Sequence, residues 1–290
     1  MAPQPPARTA DRTTGDDDSS RWILWVGSAE GGELGLAHAA VAARAQVIAA
    51  ASPQAAIDAH GAHQRPSPVF IVLASDRPGR WTPEDALRLS LLWPLSPVVS
   101  VAASLVEGRR RSGPQLTGVD EVAWHHLGGR CGWWLAGLEK RQPAGLGLPT
   151  TARREERLLE ALAPLCQRVG SSSSLLQTAV SITAQREEDL EPLADLLATV
   201  GCHVMGRDIG RPSLEATAPT VVWEVARLVP SDVEWLKLLA ANRPGVAIVL
   251  LENFPRGDTA EIALRAGAAA VLGRPVPLDV LAGTILFLGR

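Results

Sequence analysis

The chain has 290 residues, of which 46% are hydrophobic and 20% charged, with a net charge of −3. That length suits about two domains of ~100–150 residues each, enough to bury a core without staples. The near-neutral balance excludes a global field that draws in nucleic acid or anionic lipid, and Cys131, Cys166 and Cys202, few and far apart with no Cys-x-x-Cys, argue against a disulfide scaffold or a zinc cluster.

Residues 1–20 are rich in Pro, Thr, Asp and Ser and lack an apolar run, so they read as a disordered tail and not as a signal peptide. No stretch of ~18 apolar residues occurs, so a spanning helix is not expected. A cytoplasmic location is the expectation. Ordered sequence begins at Arg21. Trp22–Val26 is an apolar run ended by Gly27, the pattern of a strand covered on both faces. Residues 33–44 place Leu34, Ala37, His38 and Val41 on one helical face. Gln46–Ala51 is a second strand. Ser52-Pro53 then starts a helix, with Pro at its first position. Val69–Leu73 is a third strand, Thr82-Pro83-Glu84-Asp85 opens another helix, and Pro97–Ala102 is a fourth strand. A fifth strand falls at 119–124. This alternation implies a mostly parallel sheet.

The Pro- and Gly-rich residues 139–150 read as a linker. A helix over 151–168 carries a Leu158, Leu159, Leu162 and Leu165 stripe, and Ser171–Ser174 is a second joint. The strand–helix alternation then returns five times. Strands fall at 179–183, 202–205, 220–225, 246–251 and 269–272, and helices at 187–200, 232–241, 259–266 and 278–286. The organisation is therefore a tail (1–20), an α/β domain (21–138), a linker with an amphipathic helix (139–177) and a second α/β domain (178–290). Each domain is expected to be a flavodoxin-like, doubly wound parallel sheet.

Residues 266–275 read Ala-Gly-Ala-Ala-Ala-Val-Leu-Gly-Arg-Pro, and Leu196–Gly201 leads into Cys202-His203-Val204. On these stretches the second half resembles the response-regulator receiver family, which carries Ala-Gly-Ala-x-x-(aromatic or aliphatic)-Leu-x-Lys-Pro at the first of them. The resemblance implies a pocket in which carboxylates after the first strand hold Mg²⁺ and an Asp after the third accepts a phosphoryl group. A Ser or Thr after the fourth strand and a Lys after the fifth contact the phosphoryl oxygens. Carried over to this sequence, the acidic pair falls on Ala184 and Gln185, and the acceptor region on Glu224. The hydroxyl position falls on Leu251 or Glu252, and the Lys position on Arg274, followed by Pro275. The pocket is thus that of a degenerate pseudo-receiver. Glu224 and Arg274 have two readings: an ion pair imitating the phosphorylated state, or a solvated loop carboxylate and a separate arginine. The first half has the same outline. Its acceptor position falls on Ala74, with Asp76 nearby, Glu30 after the first strand and His125 after the fifth.

Gly27–Gly32 follows a strand but is not Gly-x-Gly-x-x-Gly, so a plain strand-to-helix turn is preferred to a nucleotide site. His125-His126 and the His60, His63 pair lack the further ligands zinc requires. Adjacent histidines point apart if the fifth strand runs through them. Trp124, His125, His126, Arg130, Trp133 and Trp134 have the composition of an interaction surface, or equally of core plus helix surface. Arg109-Arg110-Arg111 is read as a solvated turn. The expected function is regulatory and non-catalytic, through binding of other signalling proteins, with no cofactor and no metal. In receivers the usual partner surface, carried over, includes Thr259–Ala266 and Arg274-Pro275. A homodimer is one option for the helix over 151–168, and packing between domains the other. The alternatives are a phosphoacceptor of a two-component phosphorelay, using Glu30, Asp76 or Glu224, and a small-ligand module with its site at the strand ends of the first domain.

Overall fold

The computed structural model describes residues 21–63, 66–107, 116, 118–139, 156 and 178–289. The tail, the Arg109–Arg111 turn, all of the helix expected over 151–168 except Glu156, and the serine joint lie outside the described residues, as does Cys166.

The first half runs β1 (Trp22–Val26), α1 (Gly32–Ala42), β2 (Gln46–Ala50), α2 (Pro53–His63), β3 (Ile71–Ser75), α3 (Pro83–Leu92), β4 (Val98–Ala102), α4 (Ser104–Glu107), β5 (Asp120–Ala123) and α5 (Trp124–Glu139). The second runs β6 (Ala179–Ala184), α6 (Glu187–Thr199), β7 (His203–Ile209), β8 (Thr220–Val225), α7 (Pro230–Asn242), β9 (Ala247–Asn253), α8 (Gly257–Arg265), β10 (Ala270–Arg274) and α9 (Leu278–Leu288). Each half has five parallel strands, in the orders β2-β1-β3-β4-β5 and β10-β9-β8-β6-β7. Counted within each half, both orders are 2-1-3-4-5, the flavodoxin-like arrangement.

Local chemistry explains the element starts. Thr82 accepts the Asp85 N–H at 3.2 Å while Asp85 accepts the Thr82 N–H at 2.9 Å, a reciprocal cap with Pro83 at the first helical position. Ser52 Oγ accepts the Ala55 N–H at 3.1 Å ahead of α2. The inner strands β1, β3, β4 and β8 are buried along their whole length, as sheets covered on both faces require.

The two halves share a hydrophobic core. One contiguous cluster runs from Ile23, Trp25 and Val72 through Leu127, Cys131 and Trp133 of α5 to Val280, Leu281 and Ile285 of α9 and on through the second sheet. A separate cluster around Leu24, Ile71, Leu89 and Trp93 fills the other face of the first sheet. The seam pairs α1 and α5 of the first half with α8, β10 and α9 of the second. Its tightest point is all glycine. A Cβ on Gly283 would lie 2.0 Å from the Gly129 carbonyl oxygen, and one on Gly132 would lie 2.8 Å from the Gly283 carbonyl oxygen. Only hydrogen side chains allow these helix backbones to approach so closely.

This arrangement corrects one expectation. The surface carried over as a free partner face, Thr259–Ala266 with Arg274-Pro275, belongs in part to the seam. Ala260 and Ala263 of α8 are buried, and β10 and α9 pack on α5. Among the described residues no helix is long and apolar enough to cross a membrane.

Candidate functional site

At the C-terminal ends of the second sheet, Ala184 closes β6 and is fully buried, while Gln185 beyond it is exposed. Glu224 is the penultimate residue of β8, and Arg274 is the last of β10, two strands away. The Arg274 guanidinium reaches across β9 and donates from Nη1 to Glu224 Oε1. The Glu224 side chain is 6% exposed and that of Arg274 36%. The solvated-loop reading of Glu224 is thereby excluded. Burial pushes the Glu224 carboxyl above its usual range, and Arg274 opposes that shift. Leu251 is buried in the core, whereas the Glu252 carboxylate accepts the Leu228 N–H at 3.1 Å. Pro275 follows Arg274 through a cis peptide bond.

The first half presents a crevice of about 720 Å³ at the corresponding strand ends, lined by Glu30, Glu33, Asp76, Ser104 and, from the second half, Arg256. Glu33 holds Ser104 on two bonds, accepting its N–H at 2.7 Å and its hydroxyl at 2.6 Å. Trp124 Nε1 donates to the same hydroxyl at 3.3 Å. Asp76 lies directly beyond β3 and is exposed, whereas Ala74 is buried within the strand and its carbonyl accepts the Trp81 indole N–H at 2.8 Å.

His125 and His126 are placed differently from their sequence reading. Helix α5 begins at Trp124, so the pair sits in its first turn, with rings 4.3 Å apart, and not on a strand. His125 belongs to the seam and not to the first-half crevice. Its Nδ1 accepts the Gly273 N–H at 3.1 Å, and His126 Nε2 donates to the Gly273 carbonyl at 2.8 Å. Together they take both backbone polar groups of Gly273 in β10. Arg130 Nε lies 2.8 Å from the fully buried Asp279 of α9 and a guanidinium nitrogen 3.7 Å from Asp120. The Nε–H is not aimed along the line to Asp279, so the contact is one of charge and not a linear hydrogen bond. Trp133 and Trp134 are buried, the latter edge-on to Phe70 at 5.3 Å.

Solved structures similar to part of this chain include a putative pilus assembly-related protein of Burkholderia pseudomallei. It is 20% identical over 39% of this chain and 90% of its own, with a TM-score of 0.37. A BeF3-activated DrrB receiver domain is 16% identical over 39% of this chain and 97% of its own, TM-score 0.32. The pilus assembly protein CpaE of Caulobacter crescentus is 16% identical over 40% of this chain and 96% of its own, TM-score 0.33. Both halves share the flavodoxin-like strand order. No known family matches the sequence as a whole, and no curated protein matches it.

With the shared strand order, register aligns the strand ends of the two halves. Ser75 and Val225 end β3 and β8, so Ala74 corresponds to Glu224. Ala102 pairs Ala123 as Glu252 pairs Gly273, so Trp124 corresponds to Arg274. The residue after the fifth receiver strand of the first half is therefore Trp124, one place before His125. Neither receiver-like pocket has an acidic pair after its first strand. The first half offers Ser28 and Glu30, and the second Ala184 and Gln185. Sequence reasoning missed Glu33 and Ser104. The available signal was Glu33 itself, an acid in the first turn of α1 where the helix dipole favours it. Among the described residues no group of three or more His, Cys, Asp or Glu side chains is placed to hold an ion, and the side chains of His60 and His63 lie outside that description.

Burial, with the neighbouring His125 second, lowers the His126 pKa from 6.5 to about 3. The ring is neutral in the folded chain, whereas unfolded chain takes up a proton below about pH 6.5. Unfolded chain thus binds more protons across pH 3–6.5, and folding stability falls as pH falls through that window. Asp279, Glu224 and Glu252, shifted upward by burial, act in the opposite sense. The His126 contribution is isolated as the difference between the wild type and His126→Gln, which keeps a donor but cannot titrate. In urea melts that difference should shrink from neutral pH toward pH 4, by at most about 1.4 kcal/mol per pH unit. A pH-independent difference would place the ring in water.

Proposed function

We propose that the chain is a non-catalytic signalling protein whose two receiver-like domains act by binding other proteins and not by phosphoryl transfer. The observation that carries this reading is the Arg274–Glu224 ion pair. It fills the place where a phosphoacceptor carboxylate would stand free and a cation would meet the incoming phosphoryl group. A nucleophilic carboxylate must be accessible and unpaired, and Glu224 is neither. The first pocket supports the same reading, because Ala74 holds the acceptor place and Trp124 the cation place. Metal-assisted transfer would also draw on a carboxylate pair at the end of the first strand, where the second half has Ala184 and Gln185 and its acids begin only at Glu187 in the helix.

The resemblance to receivers makes protein partners the expected readout, and α2, α3 and α6 are not among the elements that build the seam. Intact-mass spectrometry after incubation with Mg²⁺ and acetyl phosphate tests the proposal. The expected spectrum shows unmodified chain. A stoichiometric phosphoryl adduct that disappears in Asp76→Asn or Glu224→Gln would make the protein a working phosphorelay component instead.

A further inference from the structure

The seam holds a cavity of about 220 Å³, walled on the first half by Ala39 of α1, Ala43 just beyond it and Gly128 of α5, and on the second by Leu264 of α8 and Phe287 of α9. Its lining is predominantly apolar, yet a charged side chain enters it. Arg44 lies with its guanidinium 4.0 Å above the Phe287 ring. One terminal nitrogen donates to the Ala40 carbonyl. Its Nε is buried with no hydrogen-bond partner, and no carboxylate of the described residues pairs with it. The Cys131 thiol, which as a thiolate would offset the charge, is pushed up to about 12 by burial and stays neutral. The contrast with Arg130, which the same seam supplies with Asp279 and Asp120, is plain. A buried donor and a positive charge left open beside an apolar cavity define a complementary ligand: an anion on an apolar body.

We infer that this cavity binds a small monocarboxylate of about the size of benzoate, its carboxylate on Arg44 and its apolar part between Leu264 and Phe287. The size follows from the volume. Apolar cavities of about 150 Å³ take up benzene, and 220 Å³ leaves room for a carboxylate beside such a ring. Because both halves line the site, the ligand would bridge them. This goes beyond the functional reading above and depends only on the seam.

Isothermal titration calorimetry of the full chain with benzoate tests it, with benzamide as the uncharged analogue of the same shape. Benzoate should saturate one site with a Kd below about 1 mM, and benzamide should bind about tenfold more weakly or worse. Arg44→Met should abolish the preference for the acid. Ala39→Phe, which places a ring at the cavity mouth and leaves Arg44 intact, should abolish benzoate binding while far-UV circular dichroism stays unchanged. The inference fails if neither benzoate nor hexanoate gives a saturable signal. It fails equally if benzoate binds both variants as it binds the wild type, since the ligand would then sit elsewhere.

Discussion

Replacing Gly283 with leucine will separate the two halves of the molecule. A Cβ at this position would stand 2.0 Å from the Gly129 carbonyl oxygen and 2.6 Å from the Trp133 nitrogen, both backbone atoms that no rotamer change can move. Helices α5 and α9 must part to admit it. Parting them breaks the Arg130–Asp279 contact and the grip of His125 and His126 on Gly273. The loss therefore exceeds the ~1–3 kcal/mol typical of overpacking a core. Small-angle scattering should show a larger radius of gyration, and urea unfolding should resolve into two transitions where the wild type shows one. Gly35→Ala is the control. It too is a helix glycine, but the nearest atom to its Cβ would be 3.5 Å away, so a neutral or slightly stabilising effect is expected. A Gly283→Leu protein with the wild-type radius and a single transition would show that the seam yields without opening.

Arg130→Met should destabilise the fold by about 3–5 kcal/mol, because it leaves the fully buried Asp279 without its counter-charge. Methionine keeps most of the side-chain volume, so the loss reports charge and not a cavity. The pH dependence gives a second signature. Burial already holds the Asp279 carboxyl above its usual range, with Arg130 pulling it down, so losing Arg130 raises it further. A carboxyl raised in the folded state contributes stability below its unfolded pKa and loses it as pH rises through the folded value. The variant should therefore approach the wild type in acid and diverge from it toward neutral pH. Asp279→Leu added to Arg130→Met should recover much of the stability, since apolar replacement of a buried pair is commonly neutral or better. Denaturant midpoints of the four proteins between pH 5 and 8 provide the cycle. An Arg130→Met midpoint unchanged at pH 7 would mean that Asp279 is neutral in the native protein.

The fold was legible in the sequence because buried parallel strands announce themselves as unbroken apolar runs and caps announce helices. Thr220–Val225 needed no adjustment, and Thr82 with Pro83 marked the start of α3. Misplaced boundaries have local reasons. The run Val69–Leu73 begins two residues before β3, and those two residues already bond β1, Val69 N–H to the Trp22 carbonyl and the Phe70 carbonyl to Leu24 N–H. Strand β7 reaches Ile209, well past Met205, because its outward residues alternate with polar ones and no apolar run marks it. The Glu224–Arg274 pair was legible as a possibility because both positions could be counted along the chain. The seam was not. Gly128, Gly129 and Gly132 read only as weak helix formers until Gly283 is laid against them, and His125-His126 looks like a strand end until both rings are found bonded to Gly273.

The histidine pair has a consequence for how the protein behaves in a crowded solution. Strand β10 is the outermost strand of its sheet, and an outermost strand ordinarily offers a row of open amide groups on which another chain can build. Gly273 is where that row is closed, since its N–H and carbonyl are both taken by imidazoles from the other half. The first domain therefore serves the second as an edge guard. Any change that frees the two from each other uncovers a template for intermolecular strand pairing together with the apolar face around it. Loss of docking should thus appear first as aggregation at high concentration, before activity or secondary structure changes at all.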